Sequence, residues 1–208
     1  MTDSQFISRL PDVEESRCIF QAAAMLEAIL MPEWEFRYYS YNAHWGEKEQ
    51  MASMRDGEGE HYFALFQPGG LIIKGYDRRF SRVCGPQDVL QGVPDEFEGF
   101  LQEPAFMMDT TTFCIWKQGG QAWSAGKELE AEAYELLGLL TGKADYYYTW
   151  AQECYEISLD RSLVQRIFDM EPLDEEMLKG LNEELDFADL AEDIQEIGYP
   201  VKGRGRNG

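Results

Sequence analysis

The sequence predicts an α+β fold: an N-terminal helix, then an antiparallel meander sheet of four to five strands, then a helical C-terminal half. Three observations predict it. Apolar residues recur at helical spacing before Pro32. Short aromatic and β-branched stretches follow one another over residues 34–118, several of them joined by glycine-containing turns. Helical spacing then returns and continues over residues 126–198. Grouped strands followed by grouped helices are typical of the α+β class.

The first helix is predicted between Asp12 and Pro32. Asp12 is a typical N-cap residue, and a proline disfavours helical backbone in the residue before it, so Pro32 ends the helix. The apolar side chains expected on one face are Ile19, Phe20, Ala23, Leu26, Ile29 and Leu30.

The strands are predicted from alternation and composition. WEFRYYSYNAHW (34–45) alternates with the period of a half-buried strand, with Trp34 and Phe36 in one phase and Tyr39 in the other. EQMASMR is a weaker candidate, and HYFALFQ, GLIIKGYD and TTTFCIWKQ are strong ones. The connections among the first four are short, which favours a meander.

The stretch SMRDGEGEH raises the question of a metal site because its acidic residues alternate with glycine and end at a histidine. A calcium loop of the EF-hand type starting at Asp56 would need glycine where His61 stands and glutamate where Gln67 stands. Asp-Gly is a strong hairpin signal. The stretch is therefore predicted to be a turn between two strands.

The second half reads as a series of helices. VPDEFEGFLQEP predicts a short helix that starts at Pro94, with Phe97, Phe100 and Leu101 facing inward. Longer helices are predicted over 127–142, 145–157, 160–170, 173–185 and 187–198. The first of these is expected to end at Gly142.

The length and the element order predict a single α+β domain over residues 1–200. It is sheet-rich over 34–118 and helical over 126–198. The last eight residues, VKGRGRNG (201–208), are expected to form a disordered basic tail.

Charge is the strongest compositional feature. The chain has 39 acidic and 18 basic residues, for a net charge of −21, and residues 92–200 hold 25 of the acidic residues against 6 basic ones. Such a chain is repelled by nucleic acid and by anionic lipid. It attracts a basic protein and accelerates that association by electrostatic steering. The alternative is that the charge only maintains solubility.

Cysteine usage and the N-terminus bear on the compartment. The four cysteines are widely spaced, which favours reduced thiols over a disulfide framework or a zinc site. MTDSQFISRL lacks the features of a secretory signal, and no apolar run approaches the roughly 20 residues that span a bilayer. A cytoplasmic protein without a membrane segment is expected.

Catalytic patterns are absent from the sequence. It contains no G-x-S-x-G, no H-E-x-x-H, no phosphate-binding loop and no dinucleotide fingerprint. Cys114 lies within a predicted strand, where a buried unreactive thiol is expected. The sequence therefore leans against an enzyme, and no cofactor is expected. One alternative is a metal-dependent hydrolase with a site near His44, Asp56 and His61.

Surface recognition is the function that the sequence favours. Aromatic residues flanked by acids suit a Lys- or Arg-rich partner through cation–π contacts and ion pairs. The candidate partner-binding residues are Tyr39, Tyr41, Trp45, Tyr146, Tyr147, Tyr148, Glu183, Glu184, Asp189, Glu192 and Asp193. An exposed aromatic sheet face leaves a homodimer open. A small-ligand sensor that uses the same aromatic residues is a further alternative.

Four stretches together resemble a family of uncharacterised acidic bacterial cytosolic proteins, some of which are suspected immunity proteins of toxin systems. They are SMRDGEGEHYFALFQPGGLIIKGYD, GVPDEFEGFLQEPAF, TTTFCIW and DIQEIGYP, and the resemblance spans most of residues 34–200. VPDEFEGFL is also similar to a helix of the SMI1/KNR4 immunity-like superfamily, although there the helix precedes the main strands. Neither resemblance assigns a functional residue. With the charge, they favour a non-catalytic binding module, such as an immunity-type inhibitor of a basic toxin or nuclease.

Overall fold

The computed structural model describes residues 4–202. The α-helices are α1 (Ser4–Ile7), α2 (Val13–Leu30), α3 (Pro86–Val89), α4 (Glu98–Gln102), α5 (Gly138–Tyr155), α6 (Arg161–Phe168), α7 (Glu175–Leu181) and α8 (Ala191–Ile197). The strands are β1 (Tyr39–Gly46), β2 (Glu49–Arg55), β3 (His61–Gln67), β4 (Gly70–Tyr76), β5 (Phe113–Gln118) and β6 (Ser124–Ala125).

The six strands form one sheet in the order β1-β2-β3-β4-β5-β6, and every neighbouring pair is antiparallel. The predicted α+β class and the meander are confirmed. The sheet contains one strand more than expected, because the two-residue β6 pairs with the middle of β5. So short a strand carries no periodicity that a sequence pattern could reveal.

The turn between β2 and β3 is confirmed. The Asp56 carboxylate accepts the backbone N–H groups of Glu58, Gly59 and Glu60 at 2.8–2.9 Å. Gly57 and Gly59 have φ angles of +76° and +111°, which glycine adopts without steric cost. The Asp56 carboxylate thus stabilises the hairpin turn.

The start of β1 differs from the prediction. Trp34–Phe36 forms a 3-10 turn, and the strand begins only at Tyr39. The Arg37 side chain holds this turn by donating to the backbone carbonyls of Met31 and Pro32, each at 2.7 Å. The chain therefore enters the sheet in the opposite phase to the one expected from Trp34, and Tyr39 points into the core.

Helix α2 packs on one face of the sheet and forms the centre of the main core. Its predicted cap is confirmed, since the Asp12 carboxylate accepts the backbone N–H of Glu15 at 2.8 Å. Its expected ending is also confirmed: the helix stops at Leu30, two residues before Pro32. Helices α5, α6, α7 and α8 pack around α2 on the same face.

The other face of the sheet has a smaller core of its own. Pro94 precedes the short predicted helix, and Phe97, Phe100 and Phe106 of this segment are fully buried. They pack on side chains of β2 to β5. The segment from residue 94 to 108 thus covers one part of this face and leaves the part over β1 and β2 more open.

The helices of the second half match the prediction except at the first. A 3-10 helix spans Ala131–Leu137 and leads directly into α5. The break expected at Gly142 falls on Lys143, whose backbone is non-helical with φ +49° and ψ −132°. The end of α8 is capped by Gly198 at φ +70°.

The predicted disordered tail begins too early. Val201 forms a parallel bridge with Leu173, and the Lys202 backbone N–H donates to the Leu173 carbonyl at 2.9 Å. Residues 201 and 202 are therefore held by backbone hydrogen bonds. The rest of the predicted tail, residues 203–208, lies outside the described residues.

Candidate functional site: an acidic and aromatic surface beside a groove

Three of the tyrosines predicted to contact a partner lie in the core instead. Tyr39, Tyr41 and Tyr147 are 4%, 2% and 0% exposed. The phase of β1 turns the first two toward the helices, and the third faces α2 from α5. None of the three side chains is accessible to a partner in this structure.

The remaining predicted aromatic residues are half-buried. The Trp45 ring stacks on Phe106, with centroids 5.6 Å apart. Tyr146 packs between α5 and the main core, and the Tyr148 ring lies 6.0 Å from the Arg161 guanidinium carbon. Only part of each ring faces solvent, so none of the three forms an exposed aromatic patch.

The predicted acidic residues are placed differently from the tyrosines. Glu183, Glu184, Asp189 and Glu192 are exposed. Asp193 is half-buried and forms a bidentate ion pair with Arg37, in which Nη2 donates to Oδ2 at 3.0 Å. We call residues 183–196 the acidic segment; apart from Asp193, its carboxylates are exposed.

The sequence reasoning missed two exposed aromatic residues. Trp34 and Phe36 are 54% and 57% exposed, and the exposed Glu33 and Glu35 alternate with them. We call residues 33–36 the aromatic turn. The signal that identifies it is Pro32, which ends α2 and favours an irregular segment before the strand.

The aromatic turn and the acidic segment form one surface. The Arg37 side chain is only 7% exposed and links the turn to α8 through Asp193. Trp34 and Glu196 line the same cavity. The result is a pair of large exposed aromatic rings bordered on both sides by carboxylates.

Next to the aromatic turn, a groove of about 350 Å³ lies over β1 and β2 on the less covered face of the sheet. We call it the β1–β2 groove. Its apolar walls are formed by Trp45, Met51, Phe63, Phe106 and Met107. Its polar residues are Ser40, Asn42, Arg55 and Glu196. The volume is within the range of small-ligand sites, roughly 300–1,000 Å³.

The structure does not assemble the metal site proposed from His44, Asp56 and His61. On one side of β2, Asn42 pairs with Met51, and His44 lies two residues beyond Asn42. On the other side of β2, His61 pairs with Arg55. Met51 and Arg55 are four residues apart along β2, which is about 13 Å at the rise of a strand. Among the described residues, no group of three or more His, Cys, Asp and Glu side chains could hold a metal ion.

His61 instead forms a buried pair with Lys74. The Lys74 ammonium donates to the carbonyls of Met107 and Thr110 at 3.0 and 2.8 Å, and it lies 3.0 Å from His61 Nε2. The Nδ1–H of His61 donates to the Gly59 carbonyl at 3.0 Å, which leaves Nε2 to accept. Burial lowers the pKa of Lys74 to about 7. Burial, followed by the Lys74 charge, lowers the pKa of His61 to about 4.

A second buried polar group lies on the other face. The Glu27 carboxylate is fully buried and accepts from the Tyr147 and Tyr155 hydroxyls at 2.7 Å each. It also accepts the backbone N–H groups of Tyr38 and Tyr39 at 2.7 and 3.4 Å. Burial raises its pKa, while these hydrogen bonds oppose the shift. All four donors are neutral, so Glu27 joins α2 to β1 and α5 without a basic partner.

Comparison with known proteins identified no relative of this chain. No family model matches the chain, and neither a curated protein nor a solved structure matches it. The resemblances noted in the sequence, and the immunity role they imply, therefore remain predictions. Over residues 4–202, no helix is both long and apolar enough to cross a membrane.

Proposed function

We propose that the protein is a non-catalytic cytoplasmic binding module that recognises a basic protein through the aromatic turn and the acidic segment. The supporting observation is the exposure of Trp34 and Phe36, each more than half accessible and each beside carboxylates. Large exposed aromatic side chains dominate the binding energy of many protein interfaces. Most aromatic residues of this chain are buried, so exposure at this turn distinguishes it.

The negative charge around the aromatic turn favours a basic protein as the partner. The carboxylates that border the aromatic turn attract lysine and arginine side chains, and an aromatic face adds a cation–π contact to the same groups. An immunity-type inhibitor of a basic toxin or nuclease would use such a surface, because its target carries the positive charge that nucleic acid requires.

The proposal is tested by capture of the partner from an extract of the source cells. Tagged wild-type protein is expected to retain a basic protein at about 0.05 M salt and to release most of it at about 0.5 M, where charge interactions are screened within a few ångströms. The Glu183→Lys/Glu184→Lys variant is expected to retain much less at low salt, because it reverses two charges of the acidic segment.

A matched control separates a specific surface from net charge. Glu128 and Glu132 are also exposed but lie after β6, at the opposite edge of the sheet from α8. Glu128→Lys/Glu132→Lys changes the net charge equally and is expected to leave capture intact. Equal loss of the basic protein in both double variants would show that only the overall charge matters.

A further inference from the structure

A buried hydroxyl beneath the β1–β2 groove has no partner. Ser53 is 2% exposed, and its Oγ has no hydrogen-bond partner among the described residues. Its cross-strand neighbours are Ser40 and Phe63, and both line the groove. Its neighbours on the same side of β2, Met51 and Arg55, line it too. An unsatisfied buried hydroxyl is destabilising, so a ligand group that reaches Ser53 from the groove would remove this penalty.

The exposed guanidinium of Arg55 is a second donor group at the groove. It lies 5.0 Å from the centre of the Trp34 ring. No ion pair links it to a carboxylate of residues 4–202, in a chain with 39 acidic residues. The stacking on Trp34 orients the guanidinium while leaving its N–H groups to donate, and a planar guanidinium matches a carboxylate with two hydrogen bonds.

Two further groups make this part of the groove rich in donors. Asn42 Oδ1 already accepts the backbone N–H of His44 at 2.7 Å, so its NH₂ group remains to donate. Ser40 lies directly across from Ser53 and adds a hydroxyl. Such a set of donors fits a ligand group that is a negatively charged acceptor.

The other requirements of the ligand follow from the rest of the groove. Its walls are aromatic rings and methionine side chains, which accept an apolar body. The carboxylate of Glu196, on α8, lies on the same cavity as Trp34 and Ser40 and would accept hydrogen bonds from a cation. The groove therefore combines donors for a carboxylate, one carboxylate for an ammonium group and an apolar lining.

We infer that the β1–β2 groove binds a free α-amino acid with an apolar side chain. Its carboxylate lies against Arg55 and Ser53, its ammonium group faces Glu196, and its side chain packs between the walls. This ligand site goes beyond the protein-binding function proposed above and does not rest on it.

Titration calorimetry on the full chain tests the site, with L-phenylalanine, L-leucine and L-methionine as probes. At least one is expected to bind saturably with a dissociation constant below about 1 mM, a binding free energy of about 4 kcal/mol. L-Phenylalaninamide and 3-phenylpropionate, which lack the carboxylate and the ammonium group respectively, are expected to bind at least tenfold more weakly than L-phenylalanine. Arg55→Gln is expected to weaken amino-acid binding at least tenfold, whereas Arg82→Gln, an exposed arginine outside the groove, is expected to have no effect.

Ser53→Ala provides a second readout that does not depend on Arg55. It removes the unpaired hydroxyl, so the free protein is expected to unfold at a higher denaturant concentration while its affinity for the amino acid falls. The inference is overturned if none of the three amino acids binds saturably, or if Arg55→Gln binds as tightly as wild type. A Ser53→Ala variant with unchanged affinity would also contradict the proposed position of the carboxylate.

Discussion

At the scale of single residues, the burial of His61 beside Lys74 contributes to the loss of stability in acid. The His61 ring is 6% exposed, and its pKa of about 4 in the folded protein lies below its ordinary value of 6.5. Between these two values the unfolded chain binds a proton that the folded protein does not. Stability is therefore lost as the pH falls from 6.5 to 4.

We predict that His61→Gln reduces this acid sensitivity. Glutamine keeps an oxygen that accepts from Lys74 but does not titrate. Wild type should lose up to about 3 kcal/mol more than this variant between pH 6.5 and 4, which is the pKa shift expressed as free energy. Urea unfolding at several pH values measures the difference. His44→Gln, at the exposed histidine, should follow wild type, and identical slopes for all three proteins would contradict the account.

Glu27 is a buried carboxylate whose hydrogen-bond donors are all neutral. Its oxygens accept from four neutral donors, so the network needs acceptors more than it needs a negative charge. Glutamine keeps one acceptor oxygen, and the Tyr147 hydroxyl can rotate to accept from the new amide.

We predict that Glu27→Gln lowers the free energy of unfolding by less than about 1 kcal/mol. Glu27→Leu should lower it by about 3–5 kcal/mol, because it leaves several buried donors unpaired. Denaturant unfolding at neutral pH compares the two variants. A glutamine variant as unstable as the leucine variant would show that the charge itself is required.

The candidate site illustrates what could be predicted residue by residue. Four of the five predicted acidic residues are exposed, because carboxylates favour water, whereas Asp193 is half-buried in its ion pair with Arg37. Tyr39 and Tyr41 were assigned to the wrong side, since aromatic residues occupy both phases of YYSY and alternation cannot say which phase faces inward. Lys74 had no signal in the sequence, because its burial depends on carbonyls from a segment more than 30 residues away.

At the scale of elements, the hydrophobic periods and cap residues predicted most of the fold. Asp12, Asp160 and Asp174 each cap a predicted helix, and each accepts a backbone N–H as an N-cap should. The predicted start of β1 was wrong because Arg37 holds a 3-10 turn by hydrogen bonds to the preceding residues Met31 and Pro32. A local pattern does not contain that information.

The junction within α5 gives a prediction at this scale. Lys143 has φ +49° and ψ −132°, a backbone conformation that favours glycine. Its side chain also pairs with Glu15. We predict that Lys143→Gly is more stable than Lys143→Ala by about 1 kcal/mol, because both variants lose the ion pair and only glycine relieves the strain. Thermal unfolding of the two variants measures this, and an alanine variant of equal or greater stability would contradict it.

At the scale of the whole molecule, most apolar side chains pack against the sheet and most charged side chains lie on the surface. The sheet carries a core on each face, and the acidic residues of the second half remain on the outside of the helices. Near α8, the exposed aromatic turn lies within this negative field. We propose that these two features together form a binding surface, and that neither is sufficient alone.

The most direct test of that claim is capture of the basic partner by Trp34→Ala, measured beside wild type at low salt. Trp34 is 54% exposed and its ring contacts the Arg55 guanidinium, so its removal should lower the free energy of unfolding by about 1 kcal/mol or less and leave the net charge at −21. We predict that Trp34→Ala loses capture, whereas Val83→Ala, which truncates an exposed apolar residue elsewhere, retains it. Full capture by Trp34→Ala would contradict the account, because attraction by charge alone would then explain the binding.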